Sequence, residues 1–197
     1  MKAIKLFTVV AAIGAAMSIS LHTFAGEKYK VADNTTVNWV GKKVTGEHTG
    51  NIVLKSGTLE MNKGKLAGGT FEMDMASLTC TDMQGEYGDK LVGHLKSDDF
   101  FGVAKYKTAV LKITKVSFTS DGKANVTADL TIKGITQKVS FPVTIKKDGE
   151  TVMASGQITI DRTKYDIKYG SGSFFDDLGD KMIEDNFILN FDIKAVS

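Results

Sequence analysis

The feature that most narrows the fold is a strict alternation of apolar and polar residues. From Ala124 to Lys133 the even positions are Ala124, Val126, Ala128, Leu130 and Ile132, and Asn125, Thr127, Asp129, Thr131 and Lys133 fill the odd ones. In a strand every second side chain points to the same face, so this segment buries one face and wets the other. A helix would scatter the same apolar residues around its circumference.

The parity then switches. Val139, Phe141, Val143 and Ile145 alternate with Lys138, Ser140, Pro142, Thr144 and Lys146, which places a turn over Gly134 to Gln137. Asp121-Gly122 and Asp148-Gly149 tolerate positive φ and mark tight hairpins on either side. A further strand runs from Thr151 to Asp161, with Val152, Ala154, Ile158 and Ile160 on one face. The same reading gives strands near Thr35 to Lys43, Thr49 to Ser56, Lys65 to Met75 and Ala109 to Thr119, and a last one carrying Phe187, Leu189, Phe191 and Ile193. In the Ala109 strand the parity slips between Ile113 and Val116, the mark of a bulge. Pro142 lacks a ladder N–H, which predicts an edge or a bulged site there and with it an imperfectly closed barrel.

Between Met83 and Phe101 the alternation disappears, and Leu91 with Leu95 forms a helical i, i+4 pair. The fold class is therefore all-β: an up-and-down antiparallel barrel of about eight strands, with one short helix near a barrel end. No repeat, linker or low-complexity stretch divides the chain, so one domain covers Gly26 to Ser197. Ahead of it, Lys2 and Lys5 precede an uncharged apolar run from Leu6 to about Ser20, and Thr23-Phe24-Ala25 follows. That is the pattern of a secretory signal peptide over residues 1–25, too short and too rich in Gly, Ala and Ser for a membrane anchor. The expected location is the periplasm, with secretion as the alternative, and the mature protein has no integral span.

Lys2 and Lys5 carry the whole formal charge of +2, so the mature chain is neutral. A neutral chain with interspersed signs lacks the clustered cations that nucleic acid demands. The chemistry of common hydrolases is also absent: the sequence holds no Gly-x-Ser-x-Gly elbow, no His-Glu-x-x-His helix and no phosphate loop between strand and helix. Gly170-Ser171-Gly172-Ser173 reads as a loop rather than a phosphate cradle, since no helix is signalled after it. His48 and His94 are two histidines without metal-ligand spacing, and Asp176, Asp177, Asp180, Glu184 and Asp185 lack the pattern of a calcium loop. No metal and no cofactor is expected. Cys80 is the single cysteine and reads as inert.

What remains informative is the apolar inner face itself. An eight-stranded barrel either fills itself with side chains or holds one small ligand, and the alternation does not choose between them. Phe71, Met73 and Met75 share one face, and methionine adapts to guests. Phe71, Met73, Leu130, Ile132, Phe141, Ile158, Ile160, Leu189 and Phe191 are expected inside the barrel. Phe100 and Phe101 should pack at one barrel end beside the short helix. Arg162 continues the parity of Ile158 and Ile160, so it is expected inward, meeting a carboxylate such as Asp185 or else a ligand head group.

Three segments carry a resemblance to a known family. Leu95-Lys96-Ser97-Asp98-Asp99-Phe100-Phe101-Gly102-Val103-Ala104-Lys105-Tyr106, Leu130-Thr131-Ile132-Lys133-Gly134-Ile135-Thr136-Gln137-Lys138-Val139 and Ile160-Asp161-Arg162-Thr163-Lys164-Tyr165-Asp166-Ile167 resemble, in order, motifs of the YceI-like proteins. The chain departs at Lys107, where many relatives have proline, and at Asp166, where they often have glycine. The resemblance implies an extended lipocalin-like barrel that binds a long apolar lipid, a polyisoprenoid or an isoprenoid quinone, without being an enzyme. The twelve ligand-contacting candidates are then the nine inward residues above with Phe100, Phe101 and Arg162. Alternatives are a barrel enzyme using His48 or His94 as base, and an empty barrel acting through protein contacts. The oligomeric state, a homodimer included, stays open.

Overall fold

The computed structural model describes residues 26–197, so the signal-peptide expectation lies outside the described residues. The strands are β1 Glu27–Val31, β2 Thr36–Lys43, β3 Gly46–Asn62, β4 Lys65–Asp74, β5 Thr108–Ser120, β6 Lys123–Ile132, β7 Ile135–Asp148, β8 Thr151–Asp161 and β9 Ile183–Val196, with one α-helix, α1, over Glu86–Lys96. They run β3-β2-β9-β8-β7-β6-β5-β4 around a single sheet, and the β3–β4 pairing closes it. All neighbouring pairs are antiparallel, as the chain of hairpins demands.

Strand β1 was not legible as a strand, and its place explains the count. It lies between the far end of β3, with Tyr29 opposite Leu59, and the end of β9, with Val31 opposite Ala195. Strand β2 lies between the same two neighbours further along, with Trp39 opposite both Gly50 and Leu189. The two are one barrel strand interrupted at Ala32–Thr35, where Asn34 takes a φ of 60°. The closed barrel thus has eight strand positions, the expected lipocalin-like architecture.

Two expectations need correction. The turn placed over Gly134 to Gln137 is only Lys133-Gly134, whose φ values of 50° and 75° make a mirror-image hairpin turn, and β7 is already paired at Ile135. Strand β3 continues past Ser56 to Asn62. A register shift between Leu54 and Ser56 moves the buried parity from Ile52 and Leu54 to Leu59 and Met61, which hides the continuation from any alternation test. The bulge expected in β5 is present between Ile113 and Lys115.

Pro142 has a structural counterpart. Strand β7 pairs with β6 from Ile135 to Thr144, yet its ladder with β8 begins only at Val143 opposite Gly156. Beyond that point the two strands part. The chain after β8 folds into the space as a 3-10 turn over Arg162–Tyr165, where Gln137 donates to the Lys164 carbonyl and Tyr165 and Ile167 are fully buried.

Helix α1 places Glu86 and Asp89 in its first turn and Lys96 in its last, each sign suiting the helix dipole. Leu91, Val92 and Leu95 form its half-buried face and pack on the barrel core. The helix roofs the barrel end at which β2 finishes and β9 begins.

Candidate ligand-binding site

Side chains plug one end of the barrel: Leu59, Met61, Val152 and Ala195 are at most 1% exposed. Towards α1 the filling loosens. A small cavity of about 60 Å³ opens among Val37, Leu54, Phe71, Phe141, Ile158 and Phe191. Above it lies a larger one of about 220 Å³, walled by Trp39, Ile52, Met75, Leu130, Ile132 and Phe187 and roofed by Leu91, Leu95, Phe100 and Phe101. Met73 and Leu189 line both, so flexible or readily rotated aliphatic side chains are shared by the two spaces. The walls of both cavities are predominantly carbon. Together they approach the lower end of the ~300–1,000 Å³ usual for small-molecule sites.

Of the residues expected inside, Phe71, Phe141, Ile158 and Phe191 line the small cavity, and Leu130, Ile132, Phe100, Phe101 and Arg162 the large one. Ile160 is buried at 1% exposure but reaches neither. It fills the wall instead. Phe100 and Phe101 sit beneath α1 as expected. The Phe100 ring meets His94 edge-on with centroids 5.0 Å apart, and Phe101 meets Phe187 at 6.1 Å.

Arg162 is 3% exposed and turned inward, as parity requires. Its Nε donates to the Glu184 carbonyl at 3.0 Å, Nη1 to the Ile167 carbonyl at 2.9 Å and Nη2 to the Ile183 carbonyl at 3.0 Å. Asp185 Oδ1 stands 3.7 Å from Nη2, and Phe100 lies under the guanidinium at 5.7 Å. Burial pushes the Asp185 carboxyl up, but hydrogen bonds from Ser171 and Ser173 and the charge of Arg162 hold it below the ordinary range. The arginine is therefore consumed by the protein: it fastens the start of β9 to the turn after β8. Ser171, in the Gly-Ser stretch, is fully buried beneath this layer, and its carbonyl accepts from Phe174 and Phe175, so the stretch is a bonded turn.

The pair at the cavity mouth was not foreseen. His48 on β3 lines the large cavity, and its Nδ1 lies 2.8 Å from Asp82 Oδ2. Asp82 also accepts from the Thr49 amide at 2.9 Å and from the Cys80 thiol at 3.3 Å. Burial raises the Asp82 carboxyl, yet the hydrogen bonds from His48, Thr49 and Cys80 outweigh it and hold the group at about 2. Burial in turn pushes the Cys80 thiol up, which keeps it protonated and unreactive although it is partly exposed. Asp82 reaches β3 because residues 79–81 bond alongside it, Thr79 N to the Asn51 carbonyl and Thr81 N to the Thr49 carbonyl. Gly50 permits this approach, since a Cβ there would stand 1.8 Å from the Thr79 oxygen. A separation of 34 residues leaves no spacing signal for the His48–Asp82 contact.

A family model described as a YceI-like domain matches residues 29–195. The chain belongs to the YceI-like family. Among curated relatives, a UPF0312 protein of Vibrio parahaemolyticus is 34% identical over 94 residues, 42% of this chain and 48% of that protein. The chain thus spans about half the length of that relative. A UPF0312 protein of Pseudomonas putida is 42% identical over 57 residues, 29% of this chain and 30% of the relative. Among solved structures, Burkholderia cenocepacia BcnA superposes with a TM-score of 0.65 at 24% identity, covering 82% of this chain and 96% of its own. A polyisoprenoid binding domain from Saccharophagus degradans gives 0.64 at 16% identity, covering 86% and 98%. At these identities the superpositions speak for the YceI-like fold. Within it, Asp166 holds a left-handed φ of 57°, a conformation that glycine adopts freely and that a short polar side chain tolerates.

Proposed function

We propose that the protein binds, and thereby sequesters or carries, a long apolar lipid of the polyisoprenoid or isoprenoid-quinone type inside its barrel, in the bacterial envelope. The observation that carries this reading is the pair of stacked apolar cavities joined across Met73 and Leu189. A barrel meant only to be filled has no use for aromatic walls around empty space, because each lost contact forfeits dispersion energy. A hydrocarbon chain threaded there gains about 2.5 kcal/mol for every ~100 Å² buried and requires no charge partner. Family membership and the likeness to a domain described as polyisoprenoid-binding support the same ligand class. The envelope location rests on the segment led by Lys2 and Lys5.

One observation favours a second reading, a barrel enzyme: the His48–Asp82 pair has the arrangement of an oriented base. A single experiment separates the possibilities. Protein purified without detergent is extracted into organic solvent and analysed by mass spectrometry, then stripped and reloaded. Stoichiometric isoprenoid recovered unchanged supports the carrier. Conversion of the reloaded lipid supports the enzyme, and no lipid with no reloading supports a barrel that acts through protein contacts.

A further inference from the structure

Two of the four charged side chains around the mouth of the large cavity are engaged, and the other two are of opposite sign. Lys42, Lys43, Arg162 and Glu184 line it. Arg162 is taken by three backbone carbonyls and Asp185. Lys42 pairs with Glu47 at 3.6 Å. Lys43 remains, exposed to solvent and balanced by Glu184 across the same opening. A phosphate or pyrophosphate head group carries more charge than one solvated ammonium can neutralise, and it would face the Asp82 carboxylate behind His48.

His48 is different. Asp82 only accepts, so whenever the imidazole is uncharged its hydrogen sits on Nδ1, and Nε2 carries the lone pair. Among the described residues no group bonds to Nε2. His94, the other histidine described, is held edge-on by Phe100 and Tyr169 and does not line the cavity. The exposed Glu184 and Asn186 side chains also border the mouth, but His48 Nε2 is the acceptor there that a second side chain, Asp82, holds in a fixed orientation.

We propose that His48, positioned by Asp82, is the head-group site of the barrel and takes a neutral lipid through a hydroxyl hydrogen, as an isoprenoid alcohol or the hydroquinone form of a prenylated quinone offers. This rests on the lipid-binding reading above. It narrows the ligand to hydroxyl donors and sets aside prenyl phosphates. The oxidised quinone, which has only acceptors, gains nothing from Nε2.

The test uses the stripped full chain at pH 8 and the emission of Trp39, the single tryptophan, which lines the same cavity. The probes are a four-isoprene alcohol, the hydrocarbon of the same skeleton, its monophosphate, and a prenylated quinone in both redox forms. The alcohol should bind about five- to tenfold tighter than the hydrocarbon, the yield of one hydrogen bond to a semi-enclosed acceptor, and the hydroquinone should exceed the quinone similarly. His48→Phe should erase both preferences and leave the hydrocarbon affinity within about twofold, which also reports an intact barrel. His48→Gln, which keeps a carbonyl acceptor, should retain part of them. If the phenylalanine variant does not fold, Asp82→Ala replaces it and should weaken the alcohol preference at least threefold by freeing the ring. Tighter binding of the monophosphate than of the alcohol, or an alcohol preference that survives the substitutions, overturns the head-group assignment alone. If no probe, the hydrocarbon included, changes Trp39 emission, the lipid-binding reading falls with it.

Discussion

Arg162→Met separates a structural arginine from one that holds a ligand. Methionine keeps an unbranched apolar stem and removes the charge and all donors. Three carbonyls, the buried one of Ile167 and the partly buried ones of Ile183 and Glu184, then lose their hydrogen, and Asp185 loses its cation. Replacing both partners of a buried ion pair is often harmless, but backbone carbonyls cannot be replaced. Each stranded group costs about 1–3 kcal/mol, and breaking one side of a buried pair about 3–5 kcal/mol. Some carbonyls will recruit water, so the expected loss is about 3–5 kcal/mol in all. For a domain of this size that lowers the thermal midpoint by roughly 10 °C or more. Arg162→Lys should lose most of the same stability, because one ammonium cannot span three carbonyls arranged for a planar fork. The assay is urea unfolding followed by Trp39 emission, beside titration with the prenyl hydrocarbon and alcohol. A loss under about 1 kcal/mol, or an unchanged midpoint with the alcohol no longer bound, would refute the reasoning and return Arg162 to the ligand.

Phe100→Ala should destabilise by about 3–4 kcal/mol, since the ring is 6% exposed and carries contacts with His94, Tyr169, Phe101 and Arg162. A change below about 0.5 kcal/mol by chemical denaturation would mark it as a surface residue. The Asp82 carboxyl, held at about 2 against an ordinary 3.8, contributes stability that is fully present above about pH 4 and is lost as pH falls towards about 2. Asp82→Asn should flatten that part of the acid-unfolding profile, and an unchanged profile would show that the His48 and Thr49 bonds do not hold the carboxylate.

The inner face of the barrel was legible because alternation is a local property. Val126, Leu130, Ile132, Ile158 and Ile160 needed only their own neighbours to be assigned, and each is buried. The reading failed where a bulge shifts parity, as between Leu54 and Ser56, and where a strand is too short to show a period, as in β1. Arg162 was legible as inward, and Asp185 was foreseen as a partner, but its three carbonyls were not, since backbone acceptors have no sequence signature. Trp39, Ile52 and Phe187 carry the expected parity yet gave no sign that they border empty space. A void is set by how eight faces meet, and no single strand encodes that. The His48–Asp82 contact lies furthest from sequence reach because it depends on residues 79–81 lying against Gly50.

The parting of β7 from β8 leaves a seam in the barrel wall. Ile135 to Ser140 pair with β6 on one side only, and Gln157 to Asp161 pair with β9 only. Pro142 has no N–H to extend the ladder, and at Gly156 a Cβ would meet the Pro142 carbonyl at 2.6 Å, so the strands touch there and then diverge. What closes the seam is side chain: Tyr165 and Ile167, held by the bonds of Arg162. Side-chain packing opens at lower cost than a continuous ladder, because no row of backbone hydrogen bonds has to break together. Amides of Ile135 to Ser140 that face β8 should therefore exchange with deuterium faster than those facing β6, and faster than amides in the Val143 to Asp148 ladder. Arg162→Met should accelerate that subset most, because it releases the turn that fills the gap. Uniform protection along β7, or an Arg162→Met effect spread evenly over all strands, would show that the wall behaves as one cooperative unit and that the seam has no dynamic consequence.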